Sequence, residues 1–290
     1  MLRLILLTAL TLVAFASNSL LARAALSPGH NGAAIDAASF TVIRIGAGAL
    51  MLWVLIAVRR RSLVGPIGGS WTGGIWLATY AAAFSFAYLM LDAGIGALLL
   101  FAAVQVTMIG YGVVGGERPT SLAWVGALVA FAGLMVLVRP GLSAPPVAGS
   151  ALMALAGVAW GAYSTVGGAA IGREIASPIE TTAGNFIRAL PIVLLAAAPW
   201  YANAMISLSG VALAVVSGAV TSGLGYVAWY AVLPSLTATR ASVLQLTVPL
   251  IAAGGGVLML GEQISLRFAL AALMILGGVA LTLLRNSKER

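Results

Sequence analysis

Runs of about twenty apolar residues, broken by short polar or basic stretches, recur along the whole chain. By our reading there are ten, at residues 4–25, 37–58, 71–91, 94–115, 120–138, 147–171, 180–199, 209–232, 238–260 and 265–284. A helix rises about 1.5 Å per residue, so about 20 residues cross a hydrocarbon core of about 30 Å. Each run has that length and none shows the strict alternation of a strand. The pattern predicts an all-α integral membrane protein with ten transmembrane helices and little chain left for anything else.

The second half of the chain repeats the first. Phe15 answers to Trp160, Ser19 to Ser164 and Ala24-Ala25 to Ala169-Ala170, each offset by 145 in a chain of 290. Gly116-Glu117 and Gly261-Glu262, Ala127-Leu128 and Ala272-Leu273, and Gly133 and Gly278 keep the same offset, while Asp36 and Glu180, and Arg44 and Arg188, differ by 144. A fixed internal period means that one structural unit is used more than once. Two domains are expected, residues 1–145 and 146–290, each of five helices. Five is odd, so the second copy is expected upside down relative to the first, an inverted-topology repeat of the kind that places a substrate site near the membrane midplane. Arg3, the apolar run after it and Ala14-Phe15-Ala16 also resemble a cleavable secretory signal. Cleavage would remove the partner of the segment around Trp160, so the first segment is read as retained.

Composition sharpens the class. The chain is 61% hydrophobic and 8% charged, against roughly half and a quarter in soluble domains. It has no cysteine, which excludes disulfides, thiolate metal sites and cysteine nucleophiles. The net charge of +8 is not a nucleic-acid footprint, because the basic residues mark the ends of apolar runs. Arg59-Arg60-Arg61, Arg118, Arg173, Arg240 and the tail with Arg285, Lys288 and Arg290 fall in alternate loops, whereas the opposite loops hold only Arg139, with Arg23 and Arg267 near their edges. Short cytoplasmic loops collect Lys and Arg, so these loops and both termini are expected inside.

Candidate chemistry is sparse. Arg44 and Arg188 lie about 10–12 Å deep on a 1.5 Å rise, where a charge must snorkel, pair or face a wet cavity. Two readings stand: structural arginines, or guanidiniums that guard opposite mouths of a cavity and attract carboxylates. Asp36 and Glu180, eight residues earlier, suit helix N-termini better than direct pairing with these arginines. Glu117 and Glu262 read as turn-capping residues. Tyr80 and Phe84 (i, i+4), and Trp160 and Tyr163 (i, i+3), each share one helix face, toward either packing or a cavity. Tyr88, Trp229 and Tyr230 lie nearer segment ends, where an interfacial aromatic belt accounts for them. Gln105 and Gln245 place amides within segments four and nine, and buried amides need partners. Residues 110–115 satisfy G-x-G-x-x-G, but no strand precedes them and no acidic residue follows at the required distance. The glycines there, with Gly112 and Gly116 and with Gly157 and Gly161, read as close helix packing. Pro249 and Gly254-Gly255-Gly256 mark segment nine for a bend, with Pro191 a second candidate in segment seven.

Trp160-Gly161-Ala162-Tyr163-Ser164, Asn185-Phe186-Ile187-Arg188, Gly225-Tyr226-Val227-Ala228-Trp229-Tyr230 and Gly261-Glu262, in this order across ten segments, resemble the EamA branch of the drug/metabolite transporter superfamily over essentially the whole chain. That resemblance implies a bacterial inner-membrane carrier exporting amino acids or related metabolites, with segments one, three, four, six, eight and nine around a central cavity. The stretch 156–166 is also similar to aromatic amino-acid exporters of the superfamily. Phe15, where the pattern has Trp, and Gln105, opposite Pro249 of the second half, depart from it. A small-molecule substrate and the lipid bilayer are the implied partners of a monomer without metal or cofactor. An enzyme is disfavoured on the residues themselves. The sole His is His30 in a loop, the sole Lys is Lys288 in the tail, and no nucleophile motif is present. A passive scaffold is the third class, and it would tolerate apolar replacement of Gln105, Arg44 and Arg188.

Overall fold

The computed structural model describes residues 2–27, 35–62, 68–116, 120–139, 144–171, 177–232, 235 and 244–283. His30, Glu117, Arg118, Arg173, Arg240 and the basic tail lie outside them. The described chain is helical, and its one β feature is an isolated antiparallel bridge between Ile35 and Ile206. The first seven helices are α1 (Leu2–Leu26), α2 (Ala37–Arg60), α3 (Trp71–Ala87), α4 (Ala93–Val114), α5 (Ser121–Val138), α6 (Val147–Ile171) and α7 (Pro178–Ala197). A 3-10 turn, Ala198–Asn203, follows α7. Then come α8 (Leu208–Val215), a π-helical stretch (Val216–Leu224), α9 (Gly225–Val232), α10 (Val248–Leu260) and α11 (Leu266–Leu283). Among the described residues seven helical stretches are long and apolar enough to cross a membrane, and α10 and α11 are shorter apolar helices. Large apolar side chains such as Val58, Val114, Leu128, Leu195, Leu258 and Leu273 stand exposed around the outside. In water so much exposed apolar surface would be an aggregation liability, and in lipid it is the solvent-facing coat.

Local chemistry explains the helix ends. Asp36, Ser70, Thr120 and Ser207 accept from backbone N–H groups of the first turn through their side chains, filling donors that a helix start leaves unpaired. Arg61 closes α2 in the left-handed conformation (φ 53°). Pro249 sits in the first turn of α10, where its missing N–H costs nothing. Among the described residues segment nine is therefore interrupted, with a turn at 246–247 before α10, whereas Pro191 lies inside α7.

Helices of the two halves interleave. Helix α6 packs on α3 and α4, α7 packs on α2 and α3, and α1 runs beside α8, the π-helical stretch, α9 and α10. Helix α4 meets α10, and α5 packs on α11. Glycines permit the closest approaches, as expected for Gly157 and Gly161: a Cβ at Gly157 would press on Ala103 and the Leu100 carbonyl, and one at Gly161 on Thr107. Gly110 and Gly116 depart from that expectation, because a Cβ on either would meet open space. Both are exposed; Gly110 lies in α4, and Gly116, just past its end, serves instead as a turn residue with φ of 95°. Tyr88 and Trp229 also depart from the belt expected of them. Both are buried: α3 ends in a turn that folds Tyr88 inward, its hydroxyl donating to the Ala93 carbonyl at 3.3 Å, and Trp229 packs against Phe15 of α1.

Candidate functional site

The helix faces anticipated for the aromatic residues converge. Trp160 on α6 stands 5.0 Å from the ring of Tyr80 on α3, 5.1 Å from Tyr226 on α9 and 5.4 Å from Tyr163, on which it stacks. Tyr80 continues to Phe84 at 5.4 Å, and Phe84 meets Tyr88 edge-on at 4.7 Å. Phe15 on α1 closes the far side, 5.9 Å from both Tyr226 and Trp229. Offset and edge-on pairs at such separations are the favoured aromatic geometries. They enclose a cavity of about 20 Å³ between α1, α3, α4, α6 and α9, room for about one water. These are five of the six segments that the resemblance assigned to a central cavity. The described residues of segment nine, 244–260, contribute nothing to this lining.

Under the aromatic wall lies a polar layer. Arg44 on α2 is 2% exposed. Its NH2 group donates to the Tyr80 hydroxyl at 3.0 Å, and Nε and NH2 each reach Ser222 Oγ at 3.4 Å. The guanidinium carbon sits 4.7 Å from the Phe84 ring centre and 5.3 Å from that of Tyr80, within cation–π range. Among the described residues NH1, which is buried, has no hydrogen-bond partner. Asn18 on α1 donates to Ser222 Oγ at 3.2 Å, and its Oδ1 accepts from Ser217 and Thr221 at 2.8 and 2.7 Å. Asn18 and Tyr80 both line the cavity, so the polar layer opens onto it.

The other anticipated residues lie elsewhere. Arg188, half-buried, donates through NH1 to the carbonyls of Gly68 and Gly184 at 2.8 and 3.0 Å, fastening the α2–α3 connection to α7. Gln105 is buried in α4 and Gln245 half-buried ahead of α10, and neither lines the aromatic cavity. Tyr163 lies one ring behind Trp160, within reach of Asn185 Nδ2 at 3.5 Å. Asp36 caps α2 and also accepts from the Met205 N–H at 3.0 Å, while Glu180 pairs with Arg60 at 2.6 Å. Neither acid serves Arg44 or Arg188. Glu262 caps not its own turn but the start of α4, accepting from the Ala93 N–H at 2.9 and 3.0 Å. Arg23 joins Glu262 at 3.4 Å and Asp92 at 3.1 Å. Burial pushes the Glu262 carboxyl above the usual carboxylate range and Asp92 adds to the rise, while the Ala93 N–H and Arg23 pull it down.

Asn18 and Ser222 were not singled out from sequence, and Tyr226 stood there only within the motif of residues 225–230. The available signal was polar residues inside otherwise apolar runs, Asn18-Ser19 in segment one and Ser217, Thr221 and Ser222 in segment eight. Only the packing of α1 on the π-helical stretch puts the two sets together.

Residues 147–284 match the EamA-like transporter family. The chain is 49% identical over 281 residues to an uncharacterized protein of Pseudomonas aeruginosa, an alignment covering 97% of this chain and 94% of that one. It is 29% identical over 168 residues to an uncharacterized transporter of Archaeoglobus fulgidus, covering 56% of this chain and 58% of that protein. A protein crystal structure at 19% identity shares the fold, with a TM-score of 0.65 over 96% of this chain and 98% of the other. The chain belongs to the EamA-like transporter family, and so is a multi-pass membrane transporter of small molecules.

Proposed function

We propose that this protein is a secondary transporter that exports small metabolites across a bacterial inner membrane, amino acids with aromatic or apolar side chains foremost. In this reading it works as a monomer with both termini cytoplasmic, by alternating access at the Trp160 cavity, with Arg44, Tyr80, Phe84, Trp160 and Tyr163 as the site. The observation that carries it is the junction at Trp160, where rings from both halves close on a space of about 20 Å³. A metabolite fits there only when the rings part, and parting them separates α3 from α6 and α9.

Reciprocal packing supports the reading as ten crossings in two inverted five-helix repeats, with α8, the π-helical stretch and α9 counted as one crossing. Helix α3 lies on α6 as that eighth crossing lies on α1, and α4 lies on α6 as α10 lies on α1. Gly74 lets α3 approach the backbone of Arg188, and Gly218 lets the π-helical stretch approach the backbone of Arg44. The two glycines are 144 apart (218 − 74), as are the two arginines (188 − 44). Gly133 and Gly278, 145 apart, are each pressed against the opposite helix of the α5–α11 pair.

Two measurements test this. Purified protein in liposomes loaded with unlabelled tryptophan or leucine should accumulate the labelled compound by counterflow, well above protein-free liposomes. A flat response across an amino-acid panel would overturn the substrate assignment. The native chain has no cysteine, so single cysteines report orientation cleanly. In whole cells Ser27→Cys should react with an impermeant maleimide and Ser62→Cys should not, and the reverse pattern would invert the topology.

A further inference from the structure

The charge of the central site is unbalanced. Four of the seven carboxylates of the chain are described, and all are engaged elsewhere: Asp36 at the start of α2 and on Met205, Asp92 and Glu262 with Arg23, and Glu180 with Arg60. The other three, Glu117, Glu174 and Glu289, lie outside the described residues. Among the described residues no acid pairs with Arg44, although its side chain is almost wholly buried. A buried charge without a counter-ion is costly, and the rings of Tyr80 and Phe84 offset that cost only in part.

The bonding around Arg44 also has a direction. Its guanidinium can only donate. The Tyr80 hydroxyl accepts from it and keeps its own proton for a further acceptor. Ser222 Oγ accepts from both Arg44 and Asn18 Nδ2, and Asn18 Oδ1 is taken up by Ser217 and Thr221. The polar layer therefore reaches the cavity through Asn18 and Tyr80, with the positive charge of Arg44 directly behind Tyr80, while the acceptor oxygens of Asn18 and Ser222 are committed within the layer. No lining residue carries a negative charge.

From this we infer that the site takes organic monoanions: a carboxylate neutralises Arg44 at its free NH1 and at Tyr80, and an aromatic or apolar body lies between Trp160, Tyr226 and Phe15. An amino acid is held by its carboxylate alone, because Arg44 stands just behind the lining whereas no described acid stands in it or behind it to receive the ammonium. This rests on the aromatic-substrate reading above and narrows it, since deaminated acids become substrates of equal standing.

Four ligands that share one aromatic body test it: 3-phenylpropionate, 3-phenylpropionamide, phenylalanine and phenethylamine, each followed by thermal shift of the purified protein and by competition with counterflow. The acid should bind at least as well as phenylalanine, the neutral amide about tenfold more weakly or worse, and the amine should give no shift. In Arg44→Met the acid and the amide should become equal, and Arg44→Lys should restore part of the preference. Should neither variant fold, the four-ligand series on the wild-type protein decides alone. Binding of phenylalanine or phenethylamine without binding of 3-phenylpropionate would overturn the monoanion assignment and leave the aromatic reading standing. An acid preference that survives in folded Arg44→Met would likewise remove Arg44 from the site. If none of the four binds, both readings fall together.

Discussion

Trp160→Ala should weaken binding of tryptophan about 10- to 100-fold, leucine less, and threonine least. The indole touches Tyr80, Tyr163 and Tyr226 at ring separations of 5.0 to 5.4 Å and forms the wall on which a bulky apolar body would lie. Burying a large apolar side chain is worth about 1.5–3 kcal/mol, and about 1.4 kcal/mol corresponds to tenfold in affinity. A carboxylate held at Arg44 is common to all three amino acids and does not depend on the indole, so the loss should scale with the side chain. Thermal-shift titrations of wild type and Trp160→Ala with the three amino acids measure it directly. Equal losses for all three would mean a general packing defect, and no loss for any would take Trp160 out of the cavity.

Gly218→Ala should cost about 3 kcal/mol or more of stability, from the upper end of overpacking effects. A Cβ at Gly218 would fall on the backbone carbonyl of Arg44, and a backbone cannot swing aside as a side chain can. Relief requires the π-helical stretch to move off α2, which would also disturb the bonds of Ser222 to Arg44 and Asn18. Gly110→Ala is the matched control. It lies in α4 with open space around a new Cβ, so alanine should gain up to about 1 kcal/mol of helix propensity. Thermal unfolding of the two variants in one detergent should move in opposite directions. A Gly218→Ala protein as stable as wild type would show that the close approach of α2 to the π-helical stretch is dispensable.

The two glycines also show where local reading stops. Both sit in small-residue stretches of apolar runs, and nothing in the flanking residues says which faces a neighbouring backbone and which faces lipid. The aromatic pairs were more legible. Tyr80 and Phe84, and Trp160 and Tyr163, share faces by helical periodicity alone, and the tertiary structure decided that these faces meet one another. Arg44 and Arg188 looked equivalent in sequence, two deep guanidiniums related by the internal repeat. Their roles separated in three dimensions, because Gly68 brings a loop carbonyl to Arg188 whereas Tyr80, Phe84 and Ser222 surround Arg44. Glu262 read as the cap of its own turn, and the neighbour it serves, Ala93, is 169 residues away.

What the chain determined by itself is therefore the part governed by short-range physics: apolar runs long enough to cross a bilayer, helix starts at capping residues and shared faces, with like residues recurring at an offset of 144 or 145. The pairing of helices across the two halves belongs to tertiary structure. In lipid, apolar side chains are as well solvated on the outside of the bundle as within it, so hydrophobicity alone does not say which face turns inward. Close backbone approach at glycines and the pairing of the few buried polar groups make that choice, and both depend on partners far away in sequence. That is why Asn18, Ser217, Thr221 and Ser222 became a single layer beneath the aromatic cavity only once α1 lay against the π-helical stretch.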